Sequence, residues 1–114
     1  MMKYLLILAL GFCAVSCSTS QPLYNWTGYD DAVYSYTKVT DEKSVERLLV
    51  IYERLIKNSG GSRNVPPPGA CADYGYLLIK KGNVEKGKEL LHKEVILYPE
   101  SKPFIDRILK RFDR

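Results

Sequence analysis

The chain has 114 residues, 46% of them hydrophobic, enough for one modest domain and too few for several. Seventeen Lys and Arg against 13 Asp and Glu leave a formal charge of +4, a balance that excludes a strongly basic nucleic-acid binder. One His and three scattered Cys do not supply a metal-ligand set, so neither a metal nor a cofactor is expected.

The chain opens Met1-Met2-Lys3 and runs apolar from Tyr4 to Val15. A positive start followed by so short an apolar run reads as a secretory signal, not as a span of the bilayer. The run ends Ala14-Val15-Ser16-Cys17, small residues before a Cys that resemble a bacterial lipobox. Leu is more usual than Ala at the third position before the Cys. Cys13 competes, but bulky Phe12 directly before it does not suit the peptidase. The expected organisation is a lipoprotein signal peptide over 1–16, Cys17 acylated with palmitate and tethered over 17–22, and one helical domain over 23–114. An ordinary signal peptide cut near Ser16 is the alternative. Ser18, where Asp would favour retention at the inner membrane, points to the periplasmic face of the outer membrane. Cys71 is then the sole mature thiol, expected to be a buried small hydrophobe. A chain of this size buries a thin core, to which a second copy or another protein would add.

Leu23, Tyr24, Trp26 and Tyr29 form an aromatic arm. A short helix is expected from Gly28-Tyr29-Asp30-Asp31-Ala32, with the acidic pair at the positive end of its dipole. Tyr29, Ala32 or Val33, and Tyr36 share one face, with Tyr34 off it. Thr40-Asp41 supplies a cap for a second helix. Val45, Leu48, Leu49, Tyr52, Leu55 and Ile56 repeat there at helical spacing, and Glu53 and Lys57 stand i, i+4 on its outer side. A polar loop over 58–64 and the run Val65-Pro66-Pro67-Pro68-Gly69 follow. The prolines cannot sit inside a helix and set how the chain approaches the next element.

Cys71, Tyr74, Leu77 and Leu78 line one face of a third helix, which Gly82-Asn83 suits as an end. Leu90, Leu91, Val95 and Tyr98 mark a fourth, stopped by Pro99. So short a turn makes the two antiparallel neighbours. Gly75, Leu78, Gly87, Leu91 and Pro99 resemble the spacing of one tetratricopeptide repeat. Cys71 stands where Trp is usual and Glu94 where Ala is usual. Residues 29–56 read as a degenerate second copy at an offset of 42, with Val33 and Val45 in the small slots. Ser101 is placed to cap a last helix and Pro103 fits its first turn. Phe104, Ile105, Ile108, Leu109 and Phe112 form its apolar face, and Arg107, Lys110, Arg111 and Arg114 make the rest basic. This helix reads as a cap on the array, with a basic face for anionic headgroups as the functional alternative. The fold class expected is all-α, a small antiparallel helical array with one tetratricopeptide-like hairpin and a C-terminal capping helix.

Gly82-Asn83-Val84-Glu85-Lys86-Gly87-Lys88 imitates a phosphate-binding loop. The next residue is Glu89, a carboxylate where a hydroxyl should hold magnesium, and no strand precedes it. No set of residues suggests nucleophilic catalysis, so no enzyme is expected.

Cys17, Gly28-Tyr29-Asp30-Asp31-Ala32, Val65-Pro66-Pro67, Tyr74-Gly75-Tyr76-Leu77-Leu78 and Tyr98-Pro99-Glu100-Ser101 occur in an order that resembles a family of small bacterial lipoproteins of uncharacterised function. The resemblance implies association with a lipoprotein similar to the curli secretion channel, and so an accessory role in an envelope assembly. It implies no catalytic residue. The expected function is a protein-binding adaptor, with Tyr24, Trp26, Tyr29 and Tyr76 as contact candidates because Tyr and Trp carry disproportionate binding energy. Arg107, Lys110 and Arg111 are the candidates for contact with an anionic membrane or partner.

Overall fold

The computed structural model describes residues 22–113 together with Tyr4. The remainder of the expected signal segment, Cys17 as the expected acylation site with most of the expected tether, and Arg114 lie outside the described residues. The described part is all-α: α1 (Tyr29–Lys38), α2 (Glu42–Lys57), α3 (Ala70–Lys80), α4 (Val84–Leu97) and α5 (Lys102–Phe112), with a 3-10 turn over Pro99–Ser101. Consecutive helices pack side by side, and among the described residues there is no strand.

Several helix ends have local causes. Asp30 and Asp31 lie in the first turn of α1 and Lys38 in the last, matching the helix dipole at both ends. At α2 the Asp41 side chain accepts from the Ser44 amide at 2.8 Å, and the Ser44 hydroxyl accepts from the Asp41 amide at 3.1 Å. This reciprocal pair satisfies two otherwise orphaned donors. α3 ends on Gly82, whose φ of 101° lets the Gly82 amide reach Ile79 and the Asn83 amide reach Leu78.

The expected faces are mostly the buried ones. Leu48, Tyr52 and Leu55 of α2 are buried, with Val45, Leu49 and Ile56 half-buried. Ile51 is also buried, because the start of α1 lies on it: a methyl built on Gly28 would sit 2.9 Å from its Cδ1. Two expectations at the C-terminal end need correction. The Ser101 side chain does not cap α5; its hydroxyl donates to the Tyr98 carbonyl at 2.7 Å, because the residue is still in the 3-10 turn. Phe104 does not face the core; it is 54% exposed, and Ile105, one position on, is the fully buried residue.

Two clusters form the core. Ala32, Leu48, Ile51, Tyr52, Leu55 and Ala70 make the first, with Tyr74 and Leu77 packed against it. Ala72, Ile79, Leu91 and Ile105 make the second, backed by Val95, Ile108, Leu109 and Phe112. α3 thus contributes opposite faces to both. Between α3 and α4 the backbones nearly touch. A methyl on Gly75 would meet the Gly87 carbonyl oxygen at 2.6 Å and the Leu90 Cβ at 3.1 Å. The buried Gly87 answers this contact, which is why the phosphate-loop imitation is a packing surface here.

The aromatic arm is tied down. The Ser62 and Arg63 amides donate to the Pro22 and Leu23 carbonyls at 3.0 and 3.1 Å. Gly61 permits the approach, with φ at 73° and no room for a side chain beside the Leu23 carbonyl. Asn25 accepts from the Thr27 amide and donates to the Asn58 carbonyl, joining the arm to the end of α2.

Candidate partner-binding groove

α1 and α3 both pack against α2. Their facing sides leave a groove of about 260 Å³. Leu48 and Tyr52 of α2 form its floor. Tyr29, Val33 and Tyr36 form the α1 wall, spaced i, i+4, i+7. Asp73, Tyr76, Leu77 and Lys80 form the α3 wall, spaced i, i+3, i+4, i+7. Both walls are therefore single helical stripes whose inner edges are packed and whose outer edges are open.

Aromatic rings lead into this groove from the arm. Trp26, 41% exposed, meets Tyr29 with ring centroids 4.8 Å apart; Tyr29 meets Tyr52 edge-on at 5.9 Å; Tyr52 stacks with Tyr74 at 6.4 Å. Such offset and edge-on pairs are favourable beyond their burial and hold the rings in fixed orientations. On the opposite wall Tyr76 leans on Phe112 of α5 at 6.0 Å, and the Lys80 ammonium lies over its ring at 5.3 Å.

The polar group of the groove is a hydroxyl–carboxylate pair. Tyr52 donates to Asp73 Oδ2 at 3.2 Å. Burial, and then the Asp73 charge, push the Tyr52 hydroxyl well above its ordinary pKa, so it stays a donor at any physiological pH. Burial also raises Asp73, with the Tyr52 hydrogen bond pulling the other way. The pair places a hydroxyl and a carboxylate in a channel lined mainly by apolar and aromatic side chains, with Thr37 and Lys80 as its other polar groups.

The contact candidates thus separate. Tyr29 and Tyr76 share the groove, and Trp26 touches its rim through Tyr29. Tyr24 is half-buried beside Tyr98 and does not line the groove. Burial and then the neighbouring Tyr24 raise the Tyr98 hydroxyl, which donates to the Pro66 carbonyl at 2.6 Å. Tyr24 therefore helps hold the proline segment in place. Arg107 and Arg111 line a shallow depression of about 230 Å³ with Phe104 and Ile108, while Lys110 is exposed outside it. Val33, Tyr36, Leu48, Tyr52, Asp73 and Leu77 are groove residues that the sequence reading did not assign to a site. The i, i+3, i+4, i+7 series of α3 was the available signal.

Glu94, the residue out of pattern, sits behind the groove and is 3% exposed. Its carboxylate accepts from the Gly69 amide at 2.7 Å and the Ala72 amide at 3.3 Å. α3 has no side-chain cap of its own, so a residue of α4 caps it. Burial raises the Glu94 carboxyl, and those two amides act to lower it. Cys71, fully buried beside it, has its thiol pushed up to about 11 by burial and then by the Glu94 charge. A thiol so held is a packing group and a poor nucleophile.

A family model described as "Domain of unknown function (DUF4810)" matches residues 23–108. The chain belongs to this family. The match takes in the arm, all of the groove, and α5 as far as Ile108, leaving Lys110 and Arg111 beyond it. No curated protein and no solved structure matches the chain. Among the described residues no helix is long and apolar enough to cross a membrane.

Proposed function

We propose that the protein is a lipoprotein, acylated at Cys17 on the periplasmic face of the outer membrane, that serves as an adaptor for another envelope protein. The groove between α1 and α3 is the docking site on this reading. The observation that carries it is the meeting of Tyr29 and Tyr76, from separate helices, in one channel floored by Leu48 and Tyr52. Rigid aromatic walls around an apolar floor suit an apolar segment of a partner chain. The close approach at Gly75 and Gly87 supports reading α3–α4 as a tetratricopeptide-like hairpin, a scaffold for such a channel. A lipoprotein similar to the curli secretion channel is the partner that the family resemblance implies.

Photocrosslinking residues placed at Tyr36 and Tyr76 of the full-length protein in cells test this reading. One dominant envelope partner is expected at both positions, lost on Leu48→Glu. The reading fails if the crosslinked species match those from Ile96, a position 78% exposed on α4 and outside the groove. Acylation has its own test: Cys17→Ala should release the protein from the membrane fraction and remove the acyl mass.

A second reading is contact between α5 and an anionic membrane surface. The exposed Phe104 in one depression with Arg107 and Arg111 favours it, since an apolar ring beside cations suits a headgroup layer. It predicts salt-sensitive binding to anionic vesicles that Phe104→Ser and Arg107→Gln each weaken. Indifference to vesicle charge removes this reading and leaves the adaptor reading untouched.

A further inference from the structure

We propose that the corner between α1 and α2 binds a phosphate-type oxyanion, at a site separate from the groove. Three cations line one open concavity of about 350 Å³: Lys38 from the last turn of α1, and Lys43 and Arg47 from the first turns of α2. Lys43 and Arg47 stand i, i+4 on one helix, where like charges repel and weaken the helix that carries them. Lys38 adds a third positive charge from across the corner.

Among the described residues no salt bridge holds them: the ion pairs there are Glu53–Lys57, Lys86–Glu89, Lys88–Asp113 and Lys102–Asp106. One carboxylate lines the concavity, that of Asp41, and it is committed to the Ser44 amide as the cap of α2. Glu42 and Glu46 stand on neighbouring positions of α2 and do not line it. The cations rest instead on neutral partners. The Lys38 ammonium lies 5.7 Å above the Tyr34 ring, and Arg47 Nη1 donates to Ser35 Oγ at 3.4 Å. These contacts position the charges without cancelling them. Three cations less one committed carboxylate match the charge of a phosphate dianion, and guanidinium and ammonium donors together suit its tetrahedral oxygens.

The ligand chemistry is a phosphate group, either free or carried on a lipid headgroup. The test is a titration of the full chain with inorganic phosphate, followed by backbone amide shifts. Saturable shifts are expected at Ser35, Lys38, Lys43 and Arg47. The Lys43→Gln/Arg47→Gln double variant should bind about tenfold more weakly or worse, from the loss of two charge-assisted contacts. Lys110→Gln, which removes a charge elsewhere, should bind as the parent does. Vesicles of phosphatidylcholine with phosphatidic acid separate the sources. Binding that inorganic phosphate competes away, and that the double variant loses, assigns the headgroup; phosphate binding with no vesicle association assigns the free anion. The proposal is overturned if phosphate gives no saturable shift in the millimolar range, or if Lys110→Gln weakens binding as much as the double variant.

Discussion

The two helical hairpins use the same plan with different spacing between their helices. α1–α2 and α3–α4 begin 41 to 42 residues apart, and each first helix starts after a left-handed glycine, Gly28 or Gly69. In the second hairpin Gly75 faces Gly87, and backbone lies on backbone. In the first, Val33 and Val45 occupy the equivalent positions, and Val33 lines the groove instead of closing a contact. Capping differs in the same sense. α2 is capped by its own Asp41, whereas α3 relies on Glu94 from the neighbouring helix. The second hairpin is thus tied together by tertiary contacts that each need the other helix. The first has one helix, α2, that is capped from its own sequence, and its α1 side lines the open groove.

Breaking the tight contact should have the largest effect. Gly75→Val drives a side chain into the Gly87 backbone and should destabilise by about 3 kcal/mol or more in chemical denaturation. Val33→Ala in the first hairpin should cost only about 1 kcal/mol, because that side chain is half-buried. Equal losses would erase the contrast. The caps come next. Glu94→Ala leaves the Gly69 and Ala72 amides buried without a partner, at a cost of about 2 kcal/mol. Asp41→Ala should cost about 1 kcal/mol, the ordinary value of a helix cap.

The smallest effect is on the pH dependence. The raised Glu94 carboxyl binds its proton more tightly in the folded chain than in the unfolded one. Its contribution to stability is therefore complete below the ordinary glutamate pKa and is lost as pH rises through the higher folded value. Asp73 is raised too and acts in the same direction. Melting temperature should accordingly decline across that window in the parent and decline less in Glu94→Gln. An unchanged slope in the variant would remove Glu94 as its source.

Local chemistry made most of the fold legible. The stripe of α2, the cap at Thr40-Asp41, the stop at Gly82-Asn83 and the Pro99 break are encoded within a few residues of where they act, and each was readable there. The rest depends on neighbours. Ile51 is buried because α1 starts on top of it. Ser101 is not a cap because the 3-10 turn engages its hydroxyl first. Glu94 broke the repeat pattern and was readable only as a departure, since its partners are 22 and 25 residues away. The candidate groove was half legible. Composition drew attention to Tyr29 and Tyr76, but that they share one groove follows from two helices packing on a third, which no local spacing states. Tyr24 looked equivalent to Trp26 in sequence, but it lies beside Tyr98 and not at the groove.

α3 has no solvent-facing stripe of the usual width, because Ala70, Tyr74 and Leu77 serve one core and Ala72 and Ile79 the other. A helix shared in this way cannot melt without emptying both clusters. Unfolding should therefore be a single transition. The α3 amides should be the slowest in the chain to exchange with deuterium, at a rate set by global opening. A nick between residues 58 and 64 should yield two fragments that stay associated but do not fold apart.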